Sequence, residues 1–299
     1  MRAAAQRHIG SGLALVSAIA FALNVACIPL VYQAGGNIHA INFIRPVFFL
    51  VCVGLVLLAR RASFRLPSMQ LSGAVILGGL LCFEFYVVFS AVKYIPVGLT
   101  VLIMYTYPLI VAVLNGLVKH GRVPIRLVLV LLVSFFGLVL ALSAPVDAVD
   151  WRGVVLALCA ALGMCAIVTI SERSMQGYDN AVIMFYTMIS ASTVMLAMYL
   201  AGIPMVWPGT VTGWAALSAA TTCYVIATFM LFVSISMIGP VRFAAIDNTV
   251  PVWATLLGFI LLGEQLVPTQ WLGMLLVVGG VIAVQFLHEP QSDRARHTA

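Results

Sequence analysis

The sequence predicts an all-α integral membrane protein with ten transmembrane helices in two inverted five-helix repeats and both termini in the cytoplasm. Three observations carry this prediction: the composition, the spacing of the apolar runs and the distribution of positive charge. The 299 residues are 63% hydrophobic and 8% charged, with a mean hydropathy of +1.14. Soluble domains contain about 25% charged residues. So much apolar surface requires lipid as its solvent.

Each predicted span is an apolar run of the length that crosses a bilayer as a helix, about 20 residues. Transmembrane β-strands have only about 10 residues, so these runs indicate helices. In order, the runs are 8–31, 38–59, 70–92, 97–118, 125–143, 151–172, 180–201, 211–236, 241–262 and 268–287. Turn residues separate them, and in chain order these are Gly35-Gly36, Arg65-Leu66-Pro67, Ile95-Pro96, Ala144-Pro145, Gly177-Tyr178-Asp179, Gly202-Ile203-Pro204, Gly239-Pro240 and Val267-Pro268.

Lysine and arginine predict the orientation, because cytoplasmic loops carry an excess of both. With the N-terminus inside, only Lys93 and Arg152 fall on the outer side, and Arg45 lies within a span. The inner segments hold Arg2, Arg7, Arg60, Arg61, Arg65, Lys119, Arg122, Arg126, Arg173, Arg242, Arg294 and Arg296. The first run also has features of a cleavable signal peptide. If the first run were removed, the lysines and arginines of the later segments would no longer lie mainly on the cytoplasmic side. We therefore expect the first run to be retained.

The chain repeats itself at a shift of 143 residues. The stretch 94–114 aligns with 237–257, and Pro108 coincides with Pro251 inside two predicted helices. Proline is unusual within a helix because it has no N–H to donate. Two prolines in register therefore indicate an internal duplication.

Five helices per half is an odd number, so the second half enters the membrane upside down relative to the first. We take residues 1–145 as the first repeat and 146–299 as the second. Inverted repeats recur in secondary transporters, whose substrate site lies near the bilayer midplane where the halves meet. Each half can take the conformation of the other, which permits alternating access. The repeat therefore favours a secondary transporter.

Three stretches carry a resemblance to a known family. They are Phe43-Ile44-Arg45 in the second span, Pro251 followed by the run from Gly258 to Gln265 that includes Glu264, and the Gly279-Gly280 helix. With the ten spans, they resemble the EamA type of the drug/metabolite transporter superfamily. The first half departs from this pattern, because His120-Gly121-Arg122 stands where the family often has Gly-Glu. The whole is similar to the YddG-type exporters of aromatic and other amino acids.

The resemblance implies export of a small solute across a bacterial inner membrane, without an ATP-binding part and without a cofactor. The sequence agrees on ATP, since it contains no Gly-x-x-x-x-Gly-Lys-[Ser/Thr] phosphate loop. The expected partners are a small-molecule substrate and the lipid bilayer. Small-x-x-x-small pairs are too common in the sequence to indicate a dimer face, and a monomer is our working expectation.

Charged residues within the spans are candidates for function, because a charge at the bilayer centre costs about 2.5–3.5 kcal/mol even on insertion scales. Arg45 and Glu84 lie at matching depths in the second and third spans, about 10–12 Å from the outer ends at 1.5 Å per residue. Neighbouring antiparallel spans often touch, so a direct ion pair is expected. Such a pair either satisfies two buried charges or serves as a gate or a site for a substrate carboxylate.

Asp247 and Asn248 in the ninth span predict a broken helix that carries a binding site. Pro251 clashes with the carbonyl four residues before it, which belongs to Asp247. A carboxylate beside a freed carbonyl oxygen suits an ammonium group or a proton. Pro108 acts in the same way on Met104, and both prolines are candidate hinges. The alternative is a structural Asp247 that contacts water or an arginine at the inner end.

Aromatic and amide side chains are secondary candidates for lining a substrate cavity. They are Asn24 in the first span, Tyr86 in the third, Tyr105 and Tyr107 in the fourth, and Trp253 in the ninth. Amphipathic rings suit an aromatic or amphipathic solute. Tyrosines also sit at lipid headgroups, and this alternative applies above all to Tyr86.

Other functions fit the sequence less well. The five histidines lie in tails or at span ends, and the six cysteines form no Cys-x-x-Cys pair, so we predict no metal site and no enzyme. The basic clusters lack interleaved aromatic residues, which argues against nucleic-acid binding. A multidrug or organic-cation exporter, binding its substrate through Asp247 and Glu84, is the nearer alternative to an amino-acid exporter. A passive channel is a distant one.

Overall fold

The computed structural model describes residues 2–95, 97–120, 125–142, 150–175, 177–262 and 267–287, and within these ranges the chain is helical apart from turns and short irregular connections such as 62–67 and 203–208. The predicted all-α class is confirmed. The helices are α1 (Arg2–Gln33), α2 (Ile38–Ala59), α3 (Ser68–Ala91), α4 (Val97–Met104), α5 (Tyr107–His120), α6 (Ile125–Leu142), α7 (Trp151–Met175), α8 (Asn180–Leu200), α9 (Val211–Ile238), α10 (Pro240–Asp247), α11 (Val250–Leu262) and α12 (Pro268–Leu287). Several residues used above lie outside the described ranges, namely Pro96, Gly121, Arg122, Ala144, Pro145, Glu264, Gln265, Arg294 and Arg296.

Eight segments are long and apolar enough to cross a membrane: α1, α2, α3, the α4–α5 pair, α6, α7, α8 and α9. The last two predicted spans correspond to the α10–α11 pair and α12. Neither α10 nor α11 is long enough to cross the membrane alone, because the helix is interrupted at Asp247. The apolar part of α12, Pro268–Val284, is also shorter than the eight spanning segments. The protein is therefore a multi-pass membrane protein, and the total of ten spans stays a prediction.

The same helix–helix contacts are found when each helix is replaced by its counterpart in the other half of the chain. α1 packs along α9, and its counterpart α7 packs along α3. The counterparts α2 and α8 touch each other, as do α6 and α12. In the same way α10 and α11 contact α1, while α4 and α5 contact α7. The broken spans of the two repeats meet where α10 contacts α5.

Small polar side chains hold α1 against α9. The Ser17 hydroxyl donates to the Ala227 carbonyl, and the Ser234 hydroxyl donates to the Gly10 carbonyl, both at 2.9 Å. The partners run in opposite directions along the two helices, so the packing is antiparallel. Hydrogen bonds of this kind join helices in membranes, where lipid leaves little hydrophobic force between them.

Glycines allow α6 and α12 to approach closely. A Cβ atom on Gly137 would lie 2.7 Å from the Gly273 carbonyl oxygen and 2.9 Å from the Val277 nitrogen. One turn away, the Ser134 hydroxyl donates to the Val277 carbonyl at 3.3 Å, across a separation of 143 residues. Ser134 and Val277 thus hold the same place in the two repeats and touch each other. Such a contact marks the pseudo-two-fold axis.

Candidate functional site

The fourth and ninth spans are each interrupted four residues before a proline. α10 ends at Asp247 and α11 begins at Val250, so Pro251 is the second residue of the new helix. Pro251 has no N–H to donate to the Asp247 carbonyl. In the first repeat α4 likewise ends at Met104, four residues before Pro108. The two breaks fall at the residues that the prolines indicate.

A threonine stabilises each break. The Thr249 hydroxyl donates to the Ile246 carbonyl, and the Thr106 hydroxyl donates to the Ile103 carbonyl, both at 2.7 Å. The backbone N–H of each threonine donates to the same carbonyl, at 2.9 and 3.1 Å. Our sequence interpretation missed these threonines. The signal was available, because Ile-x-x-Thr-x-Pro occurs twice at the shift of 143 residues.

The two breaks meet through one hydrogen bond. The hydroxyl of Tyr107, at the start of α5, donates to a carboxylate oxygen of Asp247, at the end of α10, at 2.6 Å. Only 3% of Asp247 is exposed, and Tyr107 is fully buried. The Tyr105 ring lies 6.0 Å from that of Tyr107, at a tilt of 55°. The buried side-chain oxygen of Asn248 has no hydrogen-bond partner among the described residues.

Arg45 is held by two asparagines rather than by the carboxylate that the sequence suggested. One terminal nitrogen donates to the Asn24 side-chain oxygen at 2.8 Å, and the other to that of Asn42 at 3.2 Å. The amide nitrogen of Asn24 donates to the Ala220 carbonyl at 2.6 Å and so links α1, α2 and α9. The predicted direct Arg45–Glu84 ion pair is absent from the described residues, because matching depth does not place two side chains in contact.

Two aromatic rings flank the Arg45 guanidinium. Its central carbon lies 5.1 Å from the centre of the Tyr224 ring and 5.7 Å from that of Phe85, both within cation–π range. Beside them a small cavity of about 10 Å³ opens between α2, α3, α8 and α9, roughly the room for one water molecule. Sequence reasoning missed both rings, since nothing in the apolar run around Tyr224 distinguishes it from neighbouring aromatic residues.

Glu84 connects the Arg45 group with the broken spans. Its side chain is buried and interacts electrostatically with Asp247 on one side and with Arg45 on the other. Tyr105 is also within electrostatic range of both carboxyl groups. The interior of the protein thus contains two buried carboxyl groups, those of Asp247 and Glu84, and one buried guanidinium, that of Arg45.

Two other predicted residues lie at the edge of this cluster or outside it. Tyr86 is 62% exposed, whereas Glu84, two residues earlier on α3, is buried. The two side chains therefore lie on different faces of the helix. A role in lining the cavity therefore does not fit the position of Tyr86. Trp253 packs against the main core, and its indole N–H is buried without a hydrogen-bond partner among the described residues.

Comparison with known proteins agrees with this architecture. Residues 8–143 and 151–286 each match the EamA-like transporter family. Among solved structures 29 chains match. One of them, a crystal structure described simply as that of a protein, is 19% identical, with a TM-score of 0.76 over 93% of this chain and 98% of that chain. Likeness at this identity shows the fold alone. A sequence search of curated proteins gives no match. With both halves matched, the chain belongs to the EamA-like transporter family, a family of membrane transporters and not of enzymes.

Proposed function

We propose that the protein is a secondary transporter that exports small amphipathic metabolites, most of all amino acids including aromatic ones, across a bacterial inner membrane. The observation that carries the proposal is the Tyr107–Asp247 hydrogen bond. It joins the broken spans of opposite repeats at a buried point, which is where an inverted-repeat transporter holds its substrate. In this proposal the protein resembles the YddG-type exporters.

Asp247 is the group that receives the substrate ammonium. A carboxylate binds an ammonium group through charge-assisted hydrogen bonds, which are roughly twice as strong as neutral ones. A substrate can therefore replace the Tyr107 hydroxyl as the donor. Asn248 offers a further acceptor, since its side-chain oxygen is buried without a partner among the described residues. The rings of Tyr105 and Tyr107 then face the apolar part of the solute.

Release of the Tyr107–Asp247 bond frees the two repeats to rock against each other. The breaks before Pro108 and Pro251 act as hinges, because the backbone there is not held by a continuous helix. Alternating access follows when residues 1–145 and 146–299 move as two units. The proposal includes ten spans with both termini in the cytoplasm, which the distribution of lysine and arginine supports. It also treats the protein as a monomer.

An organic-cation or multidrug exporter is the second candidate. The observation that favours it is the proximity of two buried carboxyl groups, since Glu84 and Asp247 interact electrostatically. A dication would neutralise both. Substrate profiling separates the two candidates, because a cation exporter has no use for a substrate carboxylate. A passive channel differs from both in that its flux neither saturates nor shows trans-stimulation.

The test is transport in liposomes that contain the purified protein. Uptake of radiolabelled phenylalanine, tryptophan, threonine and methionine is compared with uptake of methyl viologen, for the wild type and for Asp247→Asn. Tyr86→Phe is the matched control, because its side chain is exposed, whereas Asp247 is buried. Saturable, trans-stimulated amino-acid flux that Asp247→Asn loses supports the proposal.

Other outcomes point elsewhere. Flux of methyl viologen alone favours the cation exporter. Flux that does not saturate favours a channel. Amino-acid flux that is unchanged in Asp247→Asn keeps the amino-acid function but moves the ammonium site away from the broken span.

A further inference from the structure

Among the described residues, Arg45 is a buried cation whose hydrogen bonds go only to neutral groups. Only 3% of it is exposed, its two hydrogen-bond acceptors are amide oxygens, and its Nε–H has no partner among the described residues. A guanidinium stays charged in proteins and has five N–H donors. Charged residues inside a membrane are normally paired, and they mark substrate pathways. The charge of Arg45 is thus left for an anion to match.

The neutral contacts hold the guanidinium in place without neutralising it. Because the guanidinium can only donate, the oxygen of Asn24 must face Arg45, and its NH₂ group then faces the Ala220 carbonyl. Three helices therefore fix the donor fork before any ligand arrives. A planar fork in a fixed orientation is the arrangement that recognises a carboxylate through two parallel hydrogen bonds.

The walls around Arg45 suit the same ligand. Phe85 and Tyr224 flank the guanidinium, and the small cavity beside them is bounded by Arg45 itself. In this structure the cavity of about 10 Å³ has room for a group the size of one water molecule, such as a single carboxylate oxygen. Movement of α8 or α9 away from α2 and α3 would enlarge it for a whole carboxylate.

The carboxyl groups of Glu84 and Asp247 suit the ammonium group of the same ligand. Glu84 interacts electrostatically with both Arg45 and Asp247, so a ligand whose carboxylate contacts Arg45 also comes under the attraction of these carboxyl groups for its ammonium. Resting on the transport function proposed above, we propose that Arg45, framed by Asn24 and Asn42, is the subsite for the substrate carboxylate. Glu84 and Asp247 hold the ammonium group of the same molecule. The preferred substrate class is then the zwitterionic α-amino acid.

This assignment predicts discrimination. A cation without a carboxylate enters the site but leaves the Arg45 charge unmatched, and a site built to bond a polar group rejects analogues that lack it. One hydrogen bond to a charged group corresponds to about 10- to 100-fold in kcat/KM. Phenylalanine should therefore be preferred over phenylalaninamide by about that factor.

The experiment uses three probes: phenylalanine, phenylalaninamide, which lacks the carboxylate, and 3-phenylpropanoate, which lacks the ammonium. Transport of the first two is measured in liposomes with wild type, Arg45→Gln and Arg45→Lys, and Tyr86→Phe serves as the control. Binding of 3-phenylpropanoate to the detergent-purified proteins is measured by calorimetry. Arg45→Lys keeps the charge without the fork, so it remains informative where Arg45→Gln does not fold.

We expect Arg45→Gln to lower kcat/KM for phenylalanine, to leave or raise that for phenylalaninamide, and to abolish 3-phenylpropanoate binding. Arg45→Lys should lie between Arg45→Gln and the wild type. Equal losses for the two transported probes would overturn the assignment and leave Arg45 a structural group. So would a wild type that does not prefer the acid over the amide.

Failure of the transport function gives a different result. If the wild type carries no amino acid, the proposed function fails, and 3-phenylpropanoate binding alone decides the subsite. Binding that depends on Arg45 would then support a carboxylate site that serves another solute. Absence of that binding in the wild type would overturn the assignment as well.

Discussion

The Tyr107 hydroxyl donates a 2.6 Å hydrogen bond to Asp247, although the two residues belong to opposite repeats and lie 140 positions apart in the chain. Each sits at the interruption of its own span. A contact between the two repeats at this point connects substrate binding to the relative position of the halves, since any group that displaces Tyr107 from Asp247 also loosens the junction.

The first prediction concerns the coupling of this pair. Tyr107→Phe removes the donor and Asp247→Asn removes the charge, and a hydrogen bond to a charged group contributes about 1.5–3 kcal/mol. In a double-mutant cycle on kcat/KM in liposomes, the double variant should lose less than the sum of the single losses. The coupling energy should reach about 1 kcal/mol or more. Strictly additive losses would mean that the two side chains act separately.

A second prediction uses the symmetry of the threonines. Thr106→Val and Thr249→Val keep the branched shape but remove the hydroxyl bond to the carbonyl of Ile103 or Ile246. Each loss is about 1 kcal/mol, which should change the maximum transport rate a few-fold, by similar factors for the two variants. Thr106→Ser and Thr249→Ser, which retain the hydroxyl, are the controls. An effect in one repeat only would argue against equivalent hinges.

The α6–α12 contact gives a prediction about stability. Gly137→Ala places a methyl group against the backbone of Gly273 and Val277, whereas Gly279→Ala meets open space. Overpacking costs about 1–3 kcal/mol, while both substitutions gain the same helix propensity over glycine. Thermal unfolding in detergent should therefore show a lower Tm for Gly137→Ala and an unchanged or higher Tm for Gly279→Ala. Equal melting temperatures would contradict the close approach.

Two adjacent residues of α3 provide a test of which face of this helix points toward the interior of the protein. Phe85 lies over the Arg45 guanidinium, and Tyr86 is mostly exposed. Phe85→Ala should reduce phenylalanine transport, because it removes a cation–π contact of about 0.5–2 kcal/mol and one wall of the cavity. Tyr86→Ala should leave transport within about twofold of wild type, as expected of surface substitutions. The reverse order of effects would place the substrate path on the outer face of α3.

Topology is open to a direct measurement. Twelve lysines and arginines on one side against two on the other predict a cytoplasmic C-terminus. A C-terminal green fluorescent protein fusion should fluoresce, and a C-terminal alkaline phosphatase fusion should be inactive. An active phosphatase would place the C-terminus outside and contradict the predicted orientation.

Local covalent chemistry explains which parts of the site could be predicted. Proline lacks an N–H wherever it occurs, so the breaks at Met104 and Asp247 follow from Pro108 and Pro251 without knowledge of the packing. Span positions follow as simply, since α2 begins and ends where its apolar run does. These features depend only on neighbours in the chain.

Contacts between helices could not be predicted in this way. In lipid the outward face of a helix is as apolar as the buried face, so α3 gave no sign that Phe85 points inward and Tyr86 outward. The expectation that Arg45 pairs with Glu84 used matching depth and the assumption that neighbouring antiparallel spans touch, whereas α2 packs mainly against α8 and α3 against α7 and α8. The actual partner, Asn24, lies on α1 and is placed by its own hydrogen bond to α9.

The meeting of Ser134 with Val277 has a consequence for how the two halves diverge. A residue on the axis faces its own copy, so two identical halves would set like against like there. Two serines would duplicate one donor, and two valines would supply none. The hydroxyl-to-carbonyl bond across α6 and α12 runs in one direction only, from the first half to the second, because only one of the two copies carries a hydroxyl. A second asymmetry lies at the breaks of the fourth and ninth spans, where Met104 in the first repeat stands at the position that Asp247 holds in the second. Specialisation of the halves is therefore built into the contact that joins them.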